Sequence, residues 1–408
     1  MKNNNIDNIV SISKELLSPI FDRIELISEQ NTLRVMNAFA EFSVSDAMFA
    51  ATSGYGYNDR GRETLDKVWA RVFGTESAIV RHSIASGTHA IAVGLFALLR
   101  PGDTMLCVTG TPYDTLAATI GVKKPSPSSL LSHGVHYRQL ELTADNDFDY
   151  PAIESALAER PRIVYVQRSG GYSQRTALSC EKINKLTAFV RRQSDAYVVV
   201  DNCYGEFTET AEPTADLLIG SLIKNPGGGM AESGGYLCGR EELVALCAER
   251  LTAPGVGGEI GATLGQNKAL FRGLFYAPHS TAQAMKTAVF AAYLFDKLGF
   301  DTAPRYNDAR HDIVQQVHLG NADRLLAFCR GLQAASPIDS HVTPIPWDMP
   351  GYDHQVVMAA GAFVSGASIE LSADAPMREP YTVFLQGGLT FESGKLGIIS
   401  AAKAVLGQ

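Results

Sequence analysis

Between residues 77 and 240 the sequence alternates short apolar runs with helical stretches, and this alternation leaves few folds open. The runs at 78–80, 104–108, 163–166, 197–200 and 217–219 are short and apolar almost throughout, as strands covered on both faces are. Between them, 88–99, 150–159 and 180–192 read as helices. Such a pattern predicts an α/β fold with a mostly parallel sheet. In sheets of that kind ligands gather beyond the carboxyl ends of the strands.

The chain has 408 residues, more than one hydrophobic core usually organises, and the flanks read as separate units. Residues 1–50 predict an N-terminal helical arm, since Ile9, Leu16, Leu17, Ile20, Ile24, Leu26 and Ile27 recur at roughly helical spacing. The arm would pack either on its own subunit or against another copy. Residues 51–280 form the expected large α/β domain, opening with a Gly/Tyr-rich ordered loop over 52–62 and a helix over 63–73. A long apolar helix over 281–299 bridges to a smaller α+β domain, completing 281–408; its apolar runs are 355–362, 366–371 and 381–385.

Composition excludes several functions. With 46 % hydrophobic and 19 % charged residues the chain suits a packed globule, not a disordered one. A net charge of −8 supplies no basic field for nucleic acid or anionic lipid. The six cysteines are widely spaced, without a C-x-x-C pair or histidines at zinc-finger spacing, so a reduced cytoplasmic setting and no metal are expected. The polar start, Met1 to Asn5, leads into an amphipathic stretch with no secretory signal, and no apolar run is long enough for a membrane span.

Four motifs carry chemistry. Ser86, Gly87 and Thr88 open a helix, where backbone N–H groups and a hydroxyl suit a phosphate, although Ser-Gly-Thr also serves as a plain cap. Asp201 ends an apolar strand; there it can pair with a cationic ring nitrogen, bind a metal or cap a turn. Lys224 follows Ser221 amid apolar residues and glycines; burial near another cation would lower its pKa and make it a nucleophile toward carbonyls, against the alternative of a snorkelling loop lysine. Tyr113, past the strand at 104–108, can stack on a planar ligand and present its hydroxyl to a leaving group, or be a simple turn aromatic. Taken in order, a phosphate turn, a stacking aromatic, a strand-end acid and a lysine 23 positions later fit one ligand, pyridoxal 5′-phosphate.

The chain resembles the methionine γ-lyase-like family, also named for aluminium resistance, within the fold-type-I pyridoxal-phosphate enzymes. The likeness runs through roughly residues 10–405 and rests on 54–62 (GYGYNDRGR), 86–91 (SGTHAI), 108–115 (VTGTPYDT), 200–207 (VDNCYGEF), 220–229 (GSLIKNPGGG), 378–381 (REPY) and 386–388 (QGG). It implies that Lys224 binds the cofactor aldehyde, Asp201 pairs with the pyridine nitrogen, Ser86, Gly87, Thr88 and Ser221 hold the phosphate, and Tyr113 stacks on the ring. Cystathionine-enzyme relatives take a tyrosine and an arginine from the neighbouring subunit to the phosphate. Tyr55 or Tyr57, with Arg60, are the candidates, although their spacing departs from those relatives. Arg378 would meet the substrate carboxylate, unless it is a surface arginine beside Glu379. After the strand at 163–166 the family tends to carry an arginine and a tryptophan, where this chain has QRSGGYSQ; Gly171 and Gln174 therefore look substituted near the cofactor.

The resemblance implies a carbon–sulfur lyase acting on a cystathionine-, cysteine- or methionine-type amino acid by β- or γ-elimination. Such an enzyme would be a homodimer or homotetramer with shared sites. Transamination, γ-replacement, or a non-catalytic cofactor-binding stress protein are the alternatives.

Overall fold

A computed structural model describes residues 6–123, 126–349 and 352–408; the polar start over 1–5 lies outside the described residues. In chain order the large part comprises α1 (Ile6–Glu41), α2 (Arg60–Phe73), β1 (Ser77–Arg81), α3 (Gly87–Leu98), β2 (Thr104–Cys107), α4 (Asp114–Ile120), β3 (His136–Gln139), α5 (Tyr150–Leu157), β4 (Ile163–Gln167), α6 (Cys180–Gln193), β5 (Tyr197–Asp201), β6 (Leu217–Ser221), β7 (Gly235–Gly239) and α7 (Glu241–Leu251). There follow α8 (Asn267–Lys297), β8 (Asp301–Ala303), β9 (Gln315–His318), α9 (Ala322–Ala334), β10 (Val356–Ala360), β11 (Ser372–Pro376), β12 (Thr382–Gln386) and α10 (Phe391–Val405).

The first sheet runs β1-β7-β6-β5-β4-β2-β3. Its pairs from β6 through β5, β4 and β2 to β3 are parallel, while β7 runs antiparallel to both neighbours. Both faces of the central strands are covered, which is why 163–166, 197–200 and 217–219 are apolar runs: Val164, Val198, Val200 and Leu218 join one core, and Tyr165, Val199, Leu217 and Ile219 the other. The second sheet, β10-β11-β12-β9-β8, is antiparallel throughout. It packs with α8, α9 and α10 around a third core.

The expected arm is one helix, α1. Its buried positions Ile6, Ser13, Leu17, Ile24, Asn31, Val35 and Ala38 recur at three-, four- and seven-residue steps, the spacing of a single seam. That seam lies on its own chain: Ile6, Leu17 and Ile24 join the core around α8, and Val35 and Ala38 join the core of the first sheet. The bridging helix starts at Asn267, earlier than expected, and passes from one core to the other between Ala277 and Ala282. Two elements of the first sheet carried no apolar run: β3 is a half-exposed edge strand reading HYRQ, and β7 is a buried strand flanked by glycines. The run at 366–371 is not a strand but a series of turns leading into β11.

Candidate active site

A cavity of about 270 Å³ opens where the carboxyl ends of β2, β4, β5 and β6 meet the N-terminus of α3. It collects residues from segments far apart in sequence, because parallel strands deliver their ends to the same edge. Ser86, Gly87, Thr88, Tyr113, Asp201, Ser221 and Lys224 all line it, as the motifs predict. Tyr172, Tyr204, Tyr352 and Asp374 line it too.

At one end Ser86 caps α3, its Oγ accepting the His89 amide at 3.1 Å. Gly87 brings the backbone close to the end of β6: a Cβ there would lie 3.3 Å from the Ser221 Cβ and 3.4 Å from the Cys203 Sγ. The Ser221 hydroxyl is buried without a hydrogen-bond partner. A helix N-terminus beside an unpaired hydroxyl is a place for an anion, since both present donors where the helix dipole is positive.

Asp201 ends β5 fully enclosed, with Oδ1 accepting the Cys203 amide at 3.1 Å. Burial raises its carboxyl above the usual range, and Lys224 pulls it back. Lys224 follows β6, and Asn225 beside it locks the turn by donating to the carbonyls of Tyr204 (2.8 Å) and Glu206 (2.9 Å). The Lys224 ammonium sits over the Tyr204 ring at 3.7 Å. Here the expectation of a neighbouring cation fails. Burial opposes the ammonium, but Cys203, Tyr204 and Asp201 around it outweigh that and hold its pKa well above the ordinary value.

Tyr113 stands at the start of α4, its amide donating to the Gln167 side chain at 3.1 Å and its hydroxyl 3.3 Å from Thr88 Oγ1. Burial, then the Asp201 charge, push its pKa far up, so its hydroxyl keeps its proton. Gly171 belongs to the cavity wall; its φ of +57° suits glycine, and a Cβ there would lie 3.3 Å from Gln167 Nε2 and 3.5 Å from Tyr113 Cβ. Gln174 does not line the cavity but faces the outer rim.

Four predicted residues do not line the cavity of their own chain. Tyr55 and Tyr57 are 70 % and 56 % exposed and stack on each other at 5.5 Å, and Arg60 is exposed beside them. Their loop is nonetheless fixed. Arg62, fully buried, donates to the carbonyls of Gly56 (2.8 Å), Gly261 (2.9 Å) and Glu259 (3.0 Å). Arg378 is not among the residues lining the cavity; it is exposed and donates to the Tyr172 carbonyl at 3.2 Å.

Sequence reasoning missed the support behind Asp201. Arg168, fully buried after β4, donates to Asn202 Oδ1 and Glu209 Oε1, both at 2.7 Å, and so braces the turn that carries Asp201. It also missed Asp374, whose signal was an acid inside the buried strand β11. A larger cleft, about 720 Å³, lies between α1, α2 and residues 210–215. Its Arg34, Arg71, Arg191 and Arg240 are already paired with Glu212, Glu41, Asp216 and Glu242.

The sequence matches the methionine gamma-lyase family over residues 6–406. It is 45 % identical over 395 residues to the uncharacterized protein YnbB of Bacillus subtilis (strain 168), covering 96 % of this chain and 94 % of that one. The crystal structure of a carbon-sulfur lyase involved in aluminum resistance from Clostridium novyi NT superimposes with a TM-score of 0.94 at 45 % identity, over 98 % of this chain and 96 % of that one. A pyridoxal-5′-phosphate dependent protein, YhfS from Escherichia coli, shares the fold alone: TM-score 0.63 at 16 % identity, over 93 % and 96 % of the two chains.

Proposed function

The chain belongs to the methionine gamma-lyase family, with the fold-type-I architecture of pyridoxal-phosphate enzymes, and from that premise we propose that it is a carbon–sulfur lyase for a sulfur-containing amino acid. The single observation that supports this most is convergence. The unpaired Ser221 hydroxyl, the α3 N-terminus, Asp201, Tyr113 and Lys224 come from separate segments into one cavity.

These residues fit pyridoxal 5′-phosphate. Ser86, Gly87, Thr88 and Ser221 would hold its phosphate, Tyr113 its ring face, Asp201 its ring nitrogen and Lys224 its aldehyde carbon. When bound, the cofactor supplies an electron sink for charge developing at the substrate Cα. The protein's own part follows from the geometry. Asp201 would keep a proton on the ring nitrogen. Lys224 Nζ, released from the aldehyde carbon by the substrate amine, would then take the Cα proton. Tyr113 Oη, which carries its proton, would protonate the departing sulfur. Arg378, exposed beside Tyr172 of the cavity wall, would meet the substrate carboxylate. The net reaction consumes one water and yields a 2-oxo acid, ammonia and a thiol.

Tyr55, Tyr57 and Arg60 take part through a second copy of the chain, reaching the phosphate end of its cavity. Their exposure on a loop that Arg62 holds rigid supports this reading. The reaction is tested with a panel of sulfur amino acids and no acceptor, following 2-oxo acid, ammonia and thiol together. Release of all three supports a lyase. Turnover only when a thiol acceptor is added would make it a replacement enzyme, and no turnover of any panel member would overturn the proposal.

A further inference from the structure

Behind the turn that carries Lys224 lies a carboxyl that the proposed chemistry does not use. Glu206 is fully enclosed, at 0 % exposure. Its Oε1 accepts from the Tyr236 hydroxyl at 2.8 Å, while Oε2 is buried without a hydrogen-bond partner. Gly220 of β6 makes the room, since a Cβ there would lie 2.6 Å from Glu206 Oε1. The carboxyl therefore packs between β6 and β7, just before Ser221 and the turn that follows.

The backbone on either side of Glu206 is strained. Tyr204 and Phe207 hold φ at +72° and +62°, a left-handed conformation that residues with a Cβ rarely adopt. Such strain lasts only where the surroundings over-determine it. Asn31 of α1 donates to the Phe207 carbonyl at 3.1 Å, and Glu212 accepts the Phe207 amide at 2.9 Å. Asn225 donates to the carbonyls of Tyr204 and Glu206, and so ties the loop to Lys224 beside it. The Tyr204 ring under the Lys224 ammonium is a second tie.

The ionisable groups bearing on Glu206 are Arg168, Cys203, Glu212, Lys224, Tyr236 and Cys238. Burial raises the carboxyl and the Glu212 charge adds to it; the Glu206 amide, Tyr236 and Lys224 pull the other way without prevailing, and the pKa is pushed up to about 8. Arg168 is engaged elsewhere, with Glu209 and Glu212. A protonated Glu206 is a neutral group that close packing tolerates. An ionised one is a buried anion with one oxygen unpartnered and a second carboxylate nearby, which is costly.

We infer that Glu206 is a positioning residue whose neutral carboxylic acid keeps the strained loop 204–207 in place, and that through Asn225 and Tyr204 this loop fixes Lys224 until loss of the Glu206 proton releases it. The inference rests on the reading of Lys224 as the cofactor's anchor. As pH rises through 4.5 the unfolded chain gives up this proton while the folded one keeps it to about 8, so stability declines across that window. Above it the folded protein itself carries the buried charge, and the loop opens to let water reach it.

The test is amide hydrogen exchange in peptides covering 204–207 and 222–229, compared at equal pH between the wild type and Glu206→Gln, with and without cofactor. Glutamine keeps an acceptor for Tyr236 and cannot ionise. The two proteins should match below the transition and part above about 8, with the wild type exchanging about tenfold faster one pH unit beyond it. Cofactor retention on gel filtration should fall through the same transition in the wild type and not in the variant. Tyr236→Phe removes a donor that favours the charged form, so its transition should lie at higher pH. Equal exchange in the wild type and Glu206→Gln at every pH overturns the inference, and so does a Tyr236→Phe transition that stays in place or falls. If glutamine prevents folding, the wild type decides alone: exchange at 222–229 that merely follows the intrinsic amide rate above about 8 overturns it. Failure of the cofactor reading is distinguishable, because a protein that binds no cofactor at any pH yet shows the transition would lose Lys224 as an anchor and keep the role of Glu206.

Discussion

Asp201 and Lys224 meet although 23 positions separate them, because β5 and β6 are parallel neighbours whose ends reach the same edge. That made the pair readable from strand-end positions alone. Asp201→Asn should retain much of the cofactor but lower kcat by about 10²–10⁴-fold, the scale of a lost proton-holding group; near-normal kcat in a steady-state assay would reduce Asp201 to a turn cap. Residues with no sequence neighbour of like kind were not readable. Arg168 looks like any arginine until its burial beside Glu209 and Glu212 is seen. Burial pushes the Glu209 carboxyl up, but His311 and Arg168 outweigh it and bring the pKa from 4.5 down to about 2. A depressed folded-state pKa means the unfolded chain binds the proton first as pH falls. The Glu209 contribution is therefore fully present above pH 4.5 and is lost as pH falls through about 2. Denaturant unfolding across that window should show a loss of about 2–3 kcal/mol from this group. Glu209→Gln should flatten that part of the profile; an unchanged slope would mean the pair is not coupled to folding.

At the scale of elements, the five apolar strand runs and most helices were legible because burial on both faces writes itself as continuous hydrophobicity. Strand β3 was not, since an edge strand needs no such run, and β7 was hidden by its glycines. The turn carrying Lys224 shows what a motif leaves unsaid. Its glycines mark the motif in the sequence, yet Gly228 serves packing. It holds φ at +57°, its carbonyl accepts from Ser280 at 3.1 Å, and a Cβ there would lie 2.3 Å from the Gly273 carbonyl oxygen of α8. Gly228→Ala should therefore destabilise the protein by about 2–4 kcal/mol, through strain and overpacking together. It should also loosen the cofactor, because the turn that sets Lys224 moves with it. A thermal melt and cofactor absorbance measured on the same sample check both, and a variant with wild-type values for each would show that the turn does not depend on this contact.

At the scale of the whole molecule, α1 and α8 tie the two sheets into one body, and the cavity draws on both, with Asp201 from the first sheet and Asp374 from the second. The side chains of Tyr55, Tyr57 and Arg60 are exposed on that body, and the role proposed for them runs through a second copy of the chain. Mixing a Lys224→Ala subunit with one lacking those three side chains should restore about a quarter of wild-type activity after full exchange, since half the dimers are mixed and each holds one intact site. No recovery despite proven exchange would confine the site to one chain. The proposed chemistry depends on Lys224 as the cofactor's anchor, which covalent trapping measures directly. The cofactor-loaded protein should be yellow, and borohydride reduction followed by peptide mapping should place one cofactor per chain on Lys224. An adduct on a different lysine, or none at all, would contradict it.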